Sequence, residues 1–399
     1  MASSRRRFLK TMVSLPGAGA LAGCSAAPQE ARALRDVYQE LGVRPLINAA
    51  GTYTYLSASR MPRAVVEAME AASRHYVNLN ELHAAVGKKI SALLGCEAAL
   101  VTAGAASALT LGTAACIAGK DREKIRLLPD TTGMKNEVVI VKAHRNGYDH
   151  AVRNAGARLV EVETAQDVER AVNPRTAALL YFNVHGPEGA IKVDEFAALA
   201  KKHGVPAFID AAADIPPVDN YSRFLKMGYD LAAFSGGKVL RGPQCSGMLL
   251  GRKDLVEAAA LNNNPNTDAV GRTNKVGKEE IVGLWTALEL FVRQDPAARW
   301  TEWERRCKAI AAAAAPVKAA RSEVFVPEIA NAVPHLRVIW DAAALGLSPA
   351  DAVKRLRDGE PRIEVKAVIE NGLEIAVWML EPGEEEIVGR RLREVLQKG

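Results

Sequence analysis

The sequence predicts an α/β fold with a mostly parallel central sheet, followed by a smaller C-terminal α+β part. Short, near-continuously apolar runs recur between residues 98 and 250, as strands buried on both faces require. Helix-like segments separate several of these runs, which is the connection a parallel pair needs. From Lys278 the pattern changes to a long helix and an alanine-rich stretch, then to strands alternating with helices.

In order, Pro62 to Leu94 carries apolar residues at helical spacing, with Pro62 suited to a first turn. Ala98–Thr102 reads as a strand, and Ala103–Ser107 opens the next helix. Glu137–Val141, Arg158–Val162, Ala177–Phe182 and Ala207–Asp210 read as further strands, with a helix over Asp194–His203. Leu231–Phe234 and Met248–Leu250 flank a glycine-rich turn. Lys278–Phe291 reads as a long helix and Ala309–Ala320 as an alanine-rich stretch. Strands over Leu336–Trp340 and Leu373–Trp378 then alternate with helices over Pro349–Arg357 and Glu384–Leu396. The expected division is 1–24 a leader, 25–43 a linker or helix, 44–285 a large α/β domain and 286–399 a small α+β domain.

With 399 residues, 49% apolar and 25% charged, the chain has the balance of a globular protein with a substantial core. That excludes a disordered tail, a collagen-like fibre, a disulfide miniprotein and a polytopic membrane protein. The net charge of +6 is local. Arg5, Arg6, Arg7 and Lys10 supply four of those charges with no acid among residues 1–24, so the remainder is nearly balanced. No basic stripe marks a nucleic-acid surface, and none is expected as a partner.

The leader reads Ser4-Arg5-Arg6-Arg7-Phe8-Leu9-Lys10, then a mildly apolar run to Gly23, then Cys24. A basic start, a short apolar stretch and small residues make a signal peptide, with a disordered basic N-terminus as the plainer alternative; about 14 uncharged residues fall short of the roughly 20 a membrane helix needs. The paired arginines are similar to the twin-arginine export signal, and Leu21-Ala22-Gly23-Cys24 is similar to a lipobox. Export of the folded protein to the periplasm, with a lipid anchor through Cys24, is the resulting expectation. Cys96, Cys116, Cys245 and Cys307 form no CxxC pair and no cluster of zinc-ligand spacing, so no metal is expected and they read as small buried hydrophobes.

Three features fall at the C-terminal ends of expected strands, the edge where open α/β sheets bind ligands. Thr102-Ala103-Gly104-Ala105-Ala106-Ser107 exposes backbone N–H groups at a helix start, a cradle for phosphate. Phe208-Ile209-Asp210-Ala211-Ala212 ends a strand on a carboxylate, which is costly among small apolar residues without a cationic partner. A carboxylate about 4 Å from a cation contributes roughly 4 kcal/mol at an effective dielectric of 20, about three pKa units, enough to keep a pyridine protonated. Phe234-Ser235-Gly236-Gly237-Lys238 encloses a lysine between apolar runs and glycines. Desolvation lowers a lysine pKa and lets the amine attack a carbonyl to form a Schiff base. Plainer roles remain open for each: close packing at 103–107, a helix cap at Asp210, a loop charge at Lys238. Cradle, acid and lysine together, in this order, fit pyridoxal 5′-phosphate (PLP).

With its upstream Asp210-Ala211-Ala212, the stretch Phe234–Lys238 followed by Gly242-Pro243-Gln244 resembles fold-type I PLP-dependent enzymes (the aspartate aminotransferase-like fold). The resemblance is to the selenocysteine-synthase-like branch, which includes the L-seryl-tRNA selenium transferases and the D-glucosaminate-6-phosphate ammonia-lyases. Arg44–Thr52, His144–Asp149 and Gly271–Glu279 share in the resemblance, which runs from about Val43 to the C-terminus.

The resemblance implies Lys238 as the Schiff-base lysine and Asp210 as partner of the ring nitrogen. Ala105 and Ala106 backbone groups, with the Ser107 and Ser235 side chains, would hold the phosphate. Similarity to cysteine desulfurases implies His144 stacked on the ring and Asn183 near its hydroxyl. Those enzymes carry histidine where this chain has Gly237, and no mobile-loop cysteine is evident, so desulfurase activity is disfavoured. Arg272 is expected to reach a neighbouring subunit's site. Asn48, Thr52, Arg241 and Arg362 are expected on the substrate side, Arg362 as a bidentate carboxylate fork.

The leading expectation is a carbon–nitrogen lyase: β-elimination from a hydroxylated amino acid or amino sugar acid, with loss of ammonia. Selenium transfer to seryl-tRNA, transamination and racemisation are alternatives. Residues 25–43 are too few for the tRNA-gripping N-terminal domain that selenium transfer implies. A lipid-anchored binding protein that kept the fold without its chemistry would need neither Lys238 nor Asp210. A homodimer or higher even assembly is expected, because fold-type I sites form at subunit boundaries.

Overall fold

The computed structural model describes residues 36–398; the expected leader over 1–24 lies outside them. Residues 36–45 form one unit with a single helical turn, Val37–Glu40, capped where the Asp36 carboxylate accepts the Gln39 N–H at 3.0 Å.

In the second unit, from Leu46 onward, seven strands build the central sheet. They are β1 (Ala98–Thr102), β2 (Glu137–Val141), β3 (Arg158–Val162), β4 (Thr176–Phe182), β5 (Ala207–Asp210), β6 (Leu231–Ser235) and β7 (Gly247–Gly251). Their spatial order is β1-β7-β6-β5-β4-β2-β3, and every strand runs parallel to the others except β7. The exception has a simple cause. The connection from β6 to β7 contains no helix, and without a crossover the chain can only turn back antiparallel.

Alternation along the strands divides the core. Val139, Val141, Leu179 and Tyr181 face one side, while Val138, Ile140, Leu180 and Phe182 face the other. The second side is covered by helix Ala105–Ala118, itself buried almost all round beneath Lys253–Asn262. The close approach of that helix to the sheet depends on Gly112, where a Cβ would lie 2.6 Å from the Phe208 ring.

A second, antiparallel sheet has the order Ala367–Ile369, Gly372–Ala376, His335–Trp340, Ala320–Phe325. Ile47–Ala49 pairs in parallel with Ile363–Val365. Three elements differ from the sequence expectation. The 62–94 helix is two, Arg63–Ser73 and Leu79–Leu94, the second started by Asn78, whose side chain accepts the Asn80 and Glu81 N–H groups. The alanine-rich stretch belongs to a longer helix, Pro296–Ala314. Ala320–Phe325 is an edge strand too exposed to leave an apolar run. Among the cysteines, Cys307 is buried but Cys245 is exposed.

Candidate active site

The register of the sheet sets the site. At the C-terminal edge Thr102 and Ser235 both pair with Gly247, while Asp210 pairs with Phe182 and Ala233. The cradle, the acid and the lysine turn therefore leave neighbouring positions on one edge.

The cradle is built by a glycine in a left-handed conformation. Gly104 has φ +94°, which turns the chain from β1 directly into helix Ala105–Ala118. Thr102 Oγ1 donates to the Gly104 carbonyl at 2.9 Å and steadies the turn. Gly247 on β7 lets it approach, since a Cβ there would lie 2.5 Å from Gly104 C and 2.7 Å from Ala105 N. The N–H groups of the helix's first turn are free of intrahelical partners, as at any helix start. Ser107 Oγ is buried without a hydrogen-bond partner.

Asp210 ends β5. Its carboxylate accepts the Ala212 N–H at 2.9 Å. Burial raises its pKa, partly offset by that bond and by the positive charges of Lys238 and His185. Lys238 sits in a turn closed by three backbone bonds: Gly236 N–H to Ser246 at 2.8 Å, Arg241 N–H to Lys238 at 2.8 Å, and Gly242 N–H to Gly236 at 2.9 Å. Gly237 cannot be replaced by histidine here, because its Cβ would lie 2.9 Å from Gln244 Cα. Burial lowers the Lys238 pKa, against an opposing pull from Asp210 and then Asp214. Desolvation favours the neutral, nucleophilic form of such an amine, and facing carboxylates oppose it.

An outer layer holds the lysine turn. Ser59 Oγ donates to the Gly237 carbonyl at 2.8 Å, and Gln244 Nε2 donates to the Thr54 carbonyl at 3.0 Å. Arg241, itself at φ +58°, donates through Nε to the Arg60 carbonyl at 2.6 Å and through Nη2 to Glu381 at 2.7 Å. Its guanidinium is thus engaged in tying three segments together. Asn48 is similarly occupied: its side chain accepts the Ala50 and Gly51 N–H groups, each at 3.0 Å, and donates to the Gly51 carbonyl at 2.9 Å. Thr52 follows that turn, half-buried.

Other sequence candidates are placed elsewhere. His144 is 0% exposed, edge-on to Tyr181 with ring centroids 4.4 Å apart, and its nitrogens have no partner. It offers no ring face to an open cleft in this conformation. Burial first, then the charge of His185, lowers its pKa to about 4. Arg362 forks onto Glu364 with Nη2 at 2.7 Å, and Arg357 binds the same carboxylate. Arg272 is exposed on the loop between Lys253–Asn262 and Lys278–Arg293. That loop is anchored by Asn264, whose side chain exchanges two bonds with the Val276 backbone at 3.0 and 3.1 Å.

Asn183 is brought to the edge, buried, and donates to Asp214 Oδ1 at 2.9 Å. Asp214 is the residue the sequence reading passed over. A second acid four positions after Asp210, in a run of alanines, was the available signal. Burial pushes its pKa up to about 6, with the Asn183 bond opposing and the Asp210 charge adding to the rise.

These residues fit PLP on the geometry of the chain itself. An unpartnered buried hydroxyl at Ser107 and a glycine-turned helix start suit a phosphate, Asp210 suits a cationic ring nitrogen, and the Lys238 amine suits an aldehyde.

Comparison with known proteins agrees. The model of the SelA family, L-seryl-tRNA selenium transferase, matches residues 46–303. The D-glucosaminate-6-phosphate ammonia lyase of Salmonella typhimurium is 30% identical over 91% of this chain and 98% of its own. A solved structure of D-glucosaminate-6-phosphate ammonia-lyase superposes with a TM-score of 0.80, at 29% identity over 91% of this chain and 98% of that one. The 5'-C-glycyluridine monooxygenase-decarboxylase of a Streptomyces species is 32% identical over 90% of this chain and 92% of its own. The structure of SPT with a PLP internal aldimine shares the fold, with a TM-score of 0.57 at 15% identity, covering 88% of this chain and 87% of that one.

Proposed function

The chain belongs to the SelA, or L-seryl-tRNA selenium transferase, family, and from that premise we propose a PLP-dependent lyase that eliminates across the α- and β-carbons of a hydroxylated amino acid or amino sugar acid, with loss of ammonia. The observation that carries this reading is the convergence of the glycine-turned cradle, Asp210 and the desolvated Lys238 on one sheet edge. The relative named as an ammonia lyase supports the reaction class.

In this reading the N–H groups of Ala105 and Ala106 and the hydroxyls of Ser107 and Ser235 would hold the phosphate, and Asp210 would face the ring nitrogen. PLP, when bound, supplies an aldehyde for an amine and a ring that stabilises negative charge at the α-carbon. Lys238 Nζ would hold the bound group and then carry a proton to and from the α-carbon, a role that burial's lowering of its pKa favours. Asp210 keeps positive charge favoured at the ring nitrogen.

The purified protein is expected to show a visible absorbance band that borohydride removes, with the reduced adduct mapping to Lys238. Lys238→Ala should abolish the adduct and lower turnover by roughly 10²–10⁴-fold. Keto-acid and ammonia release across a panel of hydroxy-amino acids and amino sugar acids tests the lyase reading; a colourless protein, or full turnover in Lys238→Ala, sinks it. Oxygen-dependent decarboxylation is a second reading, favoured by the Streptomyces relative, and oxygen uptake with carbon dioxide release in the same panel would select it. Pyridoxamine phosphate accumulation would select transamination.

Two further proposals accompany this one. The chain works as an even homo-oligomer with Arg272 directed to a neighbouring subunit, which a monomeric sedimentation profile would refute. Residues 1–24 direct twin-arginine export with a lipid on Cys24, which an intact N-terminal mass in the cytoplasmic fraction would refute.

A further inference from the structure

We propose that Asp214 is a positioning residue of this site, one that fixes the Asn183 amide and whose segment ties the Ala330–Asn331 turn onto the loop after Asp210. The inference rests on the PLP reading above and concerns residues that reading leaves without a role.

Asp214 is 5% exposed, four residues beyond Asp210. Three elements converge on it. Its Oδ1 accepts Asn183 Nδ2 at 2.9 Å, from the end of β4. Its own carbonyl accepts Asn220 Nδ2 at 2.6 Å, from the helix that follows. The backbone of Ala330 works against the rise in its pKa, and next to it the Asn331 N–H donates to the Ala213 carbonyl at 2.7 Å. A helix cap does not explain the acid, since helix Asn220–Met227 starts at Asp219 without a side-chain cap.

The chemistry of the partners gives the role. An ionised carboxylate only accepts, so it fixes the Asn183 NH₂ toward itself and turns the amide oxygen the other way, leaving an acceptor of defined direction. Ala330 and Asn331 hold φ of +57° and +47°, an unfavourable conformation for alanine that the Asn331 bond to the Ala213 carbonyl helps to retain. The turn lies between strands Ala320–Phe325 and His335–Trp340, so the segment that carries Asp214 joins the second sheet to the site edge. Lys238 is faced by Asp210 and Asp214, and Asp210 in turn by His185.

The test is a PLP titration of the cofactor-free full chain, read by the visible band and by its pH midpoint. Asp214→Ala should weaken PLP about tenfold or more, the loss of a hydrogen bond to a charged group. Asp214→Asn keeps an acceptor and should stay within about threefold of wild type, yet its band should titrate at lower pH, because a negative charge facing Lys238 is gone. Asn183→Ala should reproduce the affinity loss, and Asn183→Ala/Asp214→Ala should add little to either single change, as coupled partners do. Equal affinity and equal pH midpoint in wild type and both folded Asp214 variants would overturn the positioning role alone. A wild-type chain that binds no PLP would overturn the functional reading and this proposal together.

Discussion

In the proposed function, Lys238 and Asp210 divide the work at the scale of single residues. The lysine is kept reactive by burial, and the acid is kept useful by having a cation to face. Asp210→Asn retains the shape and the bond to Ala212 but removes the charge. Its turnover is expected to fall by up to about a thousandfold, matching the three pKa units a carboxylate supplies, and steady-state kinetics with a visible spectrum would check it. Both residues were legible in the sequence because each broke a local rule: a charge among small apolar residues, and a lysine between glycines. Asp214 broke the same rule and was hidden beside the stronger signal. Arg241, Arg362 and Asn48, expected on the substrate side, show the opposite case: their polar groups already have partners within the chain. Polar residues near a site in sequence are often consumed in holding loops, which only the partner atoms reveal.

The elements explain why the edge is shaped for a ligand. Strands β2 and β5 were readable from their apolar runs to the residue, because burial on both faces leaves little room for polar letters. Ala320–Phe325 and the break at residues 74–78 were not, because an exposed edge strand and a solvated turn carry no apolar signature. The reversed direction of β7 follows from the short β6–β7 link, and its consequence is local: the start of β7 lies against the cradle. Gly247→Ala would drive a methyl to 2.5 Å from Gly104 C and push the cradle outward. The expected outcome is PLP affinity reduced about tenfold to a hundredfold with overpacking destabilisation of about 1–3 kcal/mol, checked by cofactor titration beside chemical denaturation.

Across the whole molecule, buried histidines set a pH limit. Burial lowers His83, His144 and His335 to about 4. Each folded-state pKa lies below its unfolded value, so the unfolded chain takes the proton first. The stability these groups give is complete above about pH 6.5 and is lost as pH falls toward 4, by up to about 3 kcal/mol each. Asp214, raised to about 6, and Asp210, also raised by burial, work in the opposite direction, but two groups do not offset three. Denaturant midpoints of the cofactor-free protein should therefore decline between pH 6.5 and 4, and His83→Gln should flatten that slope by roughly a third. The pairing of Ile47–Ala49 with Ile363–Val365 has a different reach. The segment whose Ser59 and Arg60 clasp the lysine turn emerges early from the ribosome, yet the strand that seats it waits for a partner made more than three hundred residues later. A nascent chain can thus assemble its seven-stranded platform long before it owns a finished pocket, and any capture of the proposed cofactor would wait for late synthesis.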